Sequence, residues 1–219
     1  MNELILSNVV VIAENLNPSI FRETWLVKEG IFTEDEIGPE SFFSSVSVNV
    51  LTPSIELLVV PDRLQLILKT SERQDETIKK ILGTVVAELP HTPYKALGFN
   101  FHWVFTPLDQ SKFPKVTQEM FLSEKNPLRN IFNTEDARFG IYLSKDELDM
   151  RLKLDVKPIK GAGENIGKEA LKFHFNFDKH INNPEKTTEI ILETIDKWSA
   201  AKKASENIIQ EMSKSANFN

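Results

Sequence analysis

Histidine and asparagine occupy the polar positions of two short, similar segments of the chain. The segments are 99–103, Phe-Asn-Phe-His-Trp, and 173–177, Phe-His-Phe-Asn-Phe. In each, aromatic residues alternate with polar ones, which is typical of a β-strand with one apolar and one polar face. If the two strands are neighbours, five polar side chains converge on one face of a sheet: Asn100, His102, His174, Asn176 and Asp178.

Such a cluster has two interpretations. Histidine can act as a general base or bind a metal near neutral pH, so His102 and His174 are the catalytic candidates. The asparagines and Asp178 could instead hydrogen-bond a polar ligand. The alternative, which the sequence favours, is that these residues form only the solvent-facing side of an antiparallel sheet. No histidine spacing matches a metal site, so we expect none.

Other catalytic chemistry has little support in the sequence. The chain has 219 residues and no cysteine, which excludes a disulfide scaffold, a thiolate nucleophile and cysteine-ligated metals. The glycines at 161, 163 and 167 are spaced one residue too widely for a dinucleotide-binding loop and lie between predicted strands. This segment, 160–168, predicts a mobile hairpin loop. We expect no cofactor.

Charge and composition narrow the choice of partners. With 26 basic and 32 acidic residues the net charge is −6, which argues against a general nucleic-acid binder. The N-terminus lacks the features of a signal peptide, and the apolar run 4–13 is too short to cross a bilayer. We therefore expect a cytoplasmic, bacterial protein without a membrane partner.

Hydrophobic periodicity predicts the elements that must position these residues. Alternation of period two predicts strands near 46–50, 64–68, 96–105, 139–143, 148–156 and 171–177, and apolar runs predict buried strands near 4–13 and 55–60. A turn is expected at 144–146 between two of them. Helical spacing predicts helices near 17–30 and 78–89, an irregular helical connection over 107–133, and a final helix from Asn183-Pro184 to about Ser213.

The predicted fold class is α+β, with mainly antiparallel sheet and a long C-terminal helix packed on it. We expect one globular unit over 1–219. The likeness of 99–103 to 173–177 indicates either two related meander-plus-helix halves, 1–106 and 134–219 joined by 107–133, or one continuous curved sheet.

The final helix offers a candidate interface. Its first half is bulky, which suits packing on a sheet, whereas its middle is rich in alanine and serine, which suits close approach of another helix. The helix either lies across its own sheet or projects its second half to a partner. The interface candidates are Trp198, Ala201, Ser205, Ile208 and Met212.

Three functions follow as hypotheses. The first is a non-enzymatic interaction or accessory subunit that assembles as a dimer, or with another protein, through its sheet face and C-terminal helix. The second is a small-ligand-binding module with an apolar pocket between sheet and helix, lined by Phe173, Phe175 and Trp198. The third is a His-dependent hydrolase or nuclease-like enzyme, which requires the strands carrying His102 and His174 to be neighbours.

Overall fold

Alternating apolar residues build one large antiparallel sheet. The computed structural model describes residues 2–107, 109–161 and 166–215, so the hairpin loop predicted over 160–168 lies partly outside the described residues. Within these ranges nine strands pair in the order β2-β3-β4-β5-β1-β6-β9-β8-β7. Their bounds are β1 Asn2–Ala13, β2 Phe42–Phe43, β3 Val48–Leu51, β4 Ile55–Val60, β5 Arg63–Leu68, β6 Tyr94–Phe105, β7 Ile141–Glu147, β8 Met150–Lys160 and β9 Glu169–His180.

The helices pack on one face of this sheet. They are α1 Glu23–Lys28, α2 Gln74–Glu88, α3 Phe113–Phe121, α4 Leu128–Ile131, α5 Thr187–Ile195 and α6 Trp198–Ser215. Apolar side chains from neighbouring strands form a continuous buried row across that face, for example Leu66, Val9, Phe99 and Phe177. Buried helix residues such as Leu82 and Trp198 belong to the same core cluster. The α+β class and the helix-covered antiparallel sheet are therefore as the sequence predicts.

The opposite face, called here the open face, carries the alternate side chains of the same strands. Most of these side chains are half-buried or exposed. Its β4, β5 and β1 portion is largely apolar, whereas its β8 portion is charged, with Arg151, Lys153, Asp155 and Lys157. The polar positions of β6 and β9 lie between these two regions.

The order of elements repeats along the chain. The first strand, β1, is followed by α1, a meander β3-β4-β5 and α2; β6 is followed by α3 and α4, a meander β7-β8-β9 and then α5 and α6. In each set the last strand pairs with the first, β5 with β1 and β9 with β6, and β1 meets β6 at the centre. This order divides the chain between α2 and β6 and the sheet between β1 and β6, whereas the halves expected from the sequence, 1–106 and 134–219, are joined by 107–133. Segments 99–103 and 173–177 lie on adjacent strands and do not occupy equivalent places in two halves.

Two local predictions were wrong. The final helix is interrupted at Asp196 and Lys197, which separate α5 from α6. The turn expected at 144–146 lies instead at Leu148 and Asp149, whose backbones are left-handed with φ of 55° and 59°. Leu148 continues the apolar alternation in sequence but occupies a turn position that leucine rarely adopts.

The N-terminal helix also begins later than predicted. Asn17 accepts a hydrogen bond from the Ser19 backbone N–H at 3.1 Å, but it caps a short 3-10 turn over Pro18–Ile20. The α-helix follows from Glu23. In the described part of the chain, no helix is both long enough and apolar enough to cross a membrane.

Candidate functional site

The two aromatic–polar segments are directly paired. In the antiparallel register of β6 and β9, Asn100 lies opposite Asn176 and His102 lies opposite His174. The adjacency that a shared polar site requires is therefore present. On the other side of β6, Asn8 of β1 lies opposite Asn100.

Three amides form a chain of hydrogen bonds across the strands. The Asn176 amide donates through Nδ2 to Asn100 Oδ1 at 2.9 Å, and Asn100 Nδ2 donates to Asn8 Oδ1 at 2.9 Å. Asn8, only 4% exposed, is buried at the end of this chain. We call these three residues the asparagine row. Sequence reasoning missed Asn8, because it interrupts an apolar run and only the register of β1 and β6 places it here.

The two histidines are in contact beside the asparagine row. The ring centroids of His102 and His174 are 4.2 Å apart, with the rings edge to face at 75°. His174 Nε2 lies 3.3 Å from Asn100 Oδ1; because that oxygen can only accept, Nε2 donates and Nδ1 remains an acceptor. The imidazole of His102 has no hydrogen bond to any residue in the described ranges.

Both imidazoles are neutral at pH 7. Burial lowers the pKa of His102 to about 4, with further lowering by the neighbouring His174 and Lys172. Burial and Lys172 also lower the pKa of His174, against a raising effect of Asp155. The centre of the open face therefore presents uncharged hydrogen-bonding groups, and each imidazole could accept a proton.

Asp178 is engaged elsewhere on the same face. Its carboxylate binds Lys153 Nζ at 3.1 Å and lies 3.2 Å from His180 Nε2. Opposite it on β6 is Gly98, so no β6 side chain joins it to the histidine pair. Asp178 is thus part of the charged region of the open face.

The aromatic ligand candidates lie on the other side of the sheet. Phe173, Phe175 and Trp198 are buried beneath the helices. The Trp198 ring contacts Phe99 and Phe101, with centroid separations of 5.2 and 4.7 Å. These buried rings occupy the space between the sheet and α6, where the sequence predicts an apolar pocket. The polar and aromatic candidates therefore cannot line one site.

The predicted interface stripe of the C-terminal helix packs against its own sheet. Trp198, Ala201 and Ser205 are fully buried, and Ser205 Oγ accepts a hydrogen bond from Trp103 Nε1 at 3.0 Å. Ile208 and Met212 are half-buried against the same core. Burial in the chain's own core removes the first three residues from any surface that a partner could contact.

Strand β7 forms one edge of the sheet and is largely exposed, which the sequence did not predict. It pairs with β8 over seven residues, and no strand of the described residues pairs with its outer side. Tyr142 on the open-face side is 62% exposed and Leu143 on the helix-covered side is 50% exposed. The strand at the other edge, β2, has two residues. Sequence reasoning missed this edge because the expected turn at 144–146 interrupted it.

Metal ligation has no support from side-chain placement. Nowhere in the described ranges do three or more histidine, aspartate or glutamate side chains form a group that could hold a metal ion.

No protein-family model matches the chain, and no curated protein matches it. Fold and site together define only a class. It is an α+β protein with one helix-covered antiparallel sheet, a neutral asparagine–histidine cluster on the open face, and one long exposed edge strand.

Proposed function

We propose that this protein is a non-enzymatic interaction subunit that assembles with a second copy of itself. One observation carries the proposal: β7 is a seven-residue edge strand with exposed apolar side chains on both faces. An edge strand presents a row of backbone N–H and C=O groups that another strand can pair with. Monomeric proteins usually shorten, bulge, cover or charge such edges; β7 is neither short nor covered, and its charges, Lys145, Asp146 and Glu147, lie toward one end.

The proposed contact surface therefore differs from the one expected from the sequence. The small-residue stripe of α6 is buried, so the C-terminal helix contributes no contact through Ala201 or Ser205. The sheet supplies the contact instead, through its edge. Pairing along β7 adds backbone hydrogen bonds, each worth about 0.5–1.5 kcal/mol net, to burial of the Tyr142 and Leu143 side chains.

Sedimentation equilibrium over a concentration series tests the proposal with the full chain at neutral pH. We expect a mass that rises toward twice the 25.0 kDa of the single chain. A Leu143→Lys variant should stay at lower mass, because it removes an exposed apolar contact and adds a second ammonium group to an edge that already carries Lys145. Val46→Lys is the matched control, since Val46 is 67% exposed near the opposite edge. A constant single-chain mass at every concentration would refute self-assembly.

A second candidate function has its own observation. The contact of His102 with His174, both neutral, would allow one imidazole to act as general base in a hydrolytic reaction. A chromogenic p-nitrophenyl ester and bis(p-nitrophenyl) phosphate are suitable probes. We expect the wild type to exceed the His102→Asn/His174→Asn double variant on at least one of them; equal rates on both would eliminate this candidate.

A further inference from the structure

The backbone of β7 has a defined outward-facing set of residues. Leu148 and Asp149 form a two-residue hairpin loop with both backbones left-handed, the geometry of a type I′ turn. Such a loop closes on a hydrogen-bonded pair, here Glu147 and Met150. Because hydrogen-bonded and non-hydrogen-bonded positions alternate in an antiparallel pair, the odd-numbered residues of β7 bond to β8. Tyr142, Ser144 and Asp146 therefore direct their N–H and C=O groups away from the sheet.

We infer that the β7 strands of two copies pair antiparallel about a two-fold axis that passes between their two Ser144 residues. The inference rests on the proposed self-assembly and adds the strand pairing that holds the two copies together. A two-fold contact is closed, so it produces a dimer and leaves no free edge for further addition. A two-fold axis normal to the sheet leaves the open faces of both copies on the same side. Even-numbered residues of one β7 strand therefore lie opposite even-numbered residues of the other. These are the residues whose N–H and C=O groups face outward, namely Tyr142, Ser144 and Asp146.

Register is decided by length and charge. Centring the pair on Ser144 brings all seven residues of β7 into register, and no like charges lie opposite one another. Tyr142 then lies opposite Asp146 of the second copy, where its hydroxyl can donate to the carboxylate. Leu143 lies opposite the aliphatic stem of Lys145. Centring on Lys145 would instead set two ammonium groups face to face.

The dimer has a consequence for the open face. Because the axis is normal to the sheet, the two open faces lie side by side on one surface. The two β7 strands lie at the centre, the charged β8 regions flank them, and the asparagine row of each copy lies farther out. The two nine-stranded sheets become one continuous sheet.

The absence of cysteine makes the contact directly testable. In Ser144→Cys the only thiol would face its counterpart across the axis. Hydrogen-bonded residues on paired antiparallel strands have Cα atoms about 5.5 Å apart, within the range that a disulfide spans. We expect mild oxidation of this full-length variant to give a covalent dimer on a non-reducing gel.

Asp146→Cys is the matched control. Its side chain is 84% exposed and so open to chance collision, but in this register its counterpart is four residues further along, about 13 Å away. We expect it to remain a single chain under the same oxidation. Equal cross-linking of the two variants would overturn the register.

Ser144→Pro tests the backbone contact without a thiol. Proline removes one outward N–H and leaves the β7–β8 hydrogen bonds in place, and edge strands tolerate it. We expect wild-type circular dichroism and loss of the dimer in sedimentation. If the wild type is dimeric while Ser144→Cys fails to cross-link, the inference fails and self-assembly stands. If the wild type stays a single chain, both fail. If the proline variant does not fold, the cross-linking result alone still tests the pairing centred on Ser144.

Discussion

At the centre of the open face, amides and an imidazole satisfy one another's hydrogen bonds across three strands. Asn100 connects Asn8, Asn176 and His174, and Asn8 is buried. A buried amide without a partner costs about 1–3 kcal/mol. The asparagine row therefore explains how polar side chains are accommodated in the middle of a large sheet, whatever else they bind. His102, whose imidazole has no hydrogen bond to the described residues, and His174, whose Nδ1 remains an acceptor, are members of the cluster with hydrogen-bonding capacity left.

The histidine pair predicts a specific acid sensitivity. The folded protein holds the pKa of His102 near 4, below its ordinary 6.5, so between these values the unfolded chain binds more protons than the folded one. Stability is complete above about pH 6.5 and is lost as the pH falls toward 4. Burial of the ring is the main cause of the lowered pKa of His102, and the neighbouring His174 and Lys172 further oppose a positive charge at this position.

Urea unfolding at pH 7 and pH 5 measures this effect. We expect His102→Asn to lose less stability than the wild type over that interval, by about 1 kcal/mol after allowance for the partial exposure of the ring. The variant also serves as the control for carboxylates that titrate in the same range. Parallel losses in the two proteins would show that His102 does not titrate as described.

At the scale of elements, small residues on α6 let the helix lie close to the aromatic face of the sheet. Ala201 and Ser205 are fully buried, between the bulky Trp198 and Ile209. The Ser205 hydroxyl also satisfies the indole N–H of Trp103. Trp198 Nε1 has no such partner in the described ranges, and the ring contacts of Trp198 with Phe99 and Phe101 offset that cost. Small size here serves packing within the chain.

A pair of adjacent alanines tests the packing of α6. Ala201→Leu should destabilise the protein by about 1–3 kcal/mol, because extra methylene groups must enter a filled core. Ala200→Leu, on the exposed side of the same turn, should change stability by less than about 0.5 kcal/mol. Urea midpoints for the two variants and the wild type give the comparison. Equal tolerance of both substitutions would indicate that this half of the helix projects from the sheet.

At the scale of the whole molecule, the two repeated sets of elements share one core. Buried residues of both belong to a single cluster, and β1 and β6, the first strands of the two sets, pair over most of their length. Phe99 lies between Val9 of the first set and Phe177 of the second. Neither set can bury its apolar face without the other.

This shared core predicts one cooperative unfolding transition. We expect far-ultraviolet and near-ultraviolet circular dichroism to report coincident urea curves, and calorimetric and van't Hoff enthalpies to agree. If a dimer forms, the midpoint should also rise with protein concentration. Two separated transitions would show that the repeated sets fold as independent units.

Much of the secondary structure was predictable from the sequence, because periodicity is a local property. The apolar run in 55–60, the alternation in 64–68 and 96–105 and the helical spacing of 78–89 correspond to β4, β5, β6 and α2. The same alternation also showed that Asn100 and His102 share a face of one strand. Each of these inferences needs only residues within about a dozen positions of one another.

Local patterns failed where backbone conformation departs from residue preference. The apolar Leu148 continues a strand pattern but lies in a left-handed turn, and the helical pattern across 183–213 shows no sign of the interruption at Asp196 and Lys197. In both places surrounding contacts override the local preference.

Only the tertiary structure decided which strands are neighbours and which side chains are buried. Asn8 joins Asn100 across 92 positions of sequence, and the contact of His102 with His174 depends on the register of β6 with β9. The burial of Ala201 and the exposure of β7 depend likewise on where each element lies in the whole sheet. The sequence by itself therefore determined an α+β chain with an apolar and a polar face on its strands, because those properties follow from neighbouring residues. The site and the free edge arise from long-range pairing, since register and burial are properties of the assembled sheet.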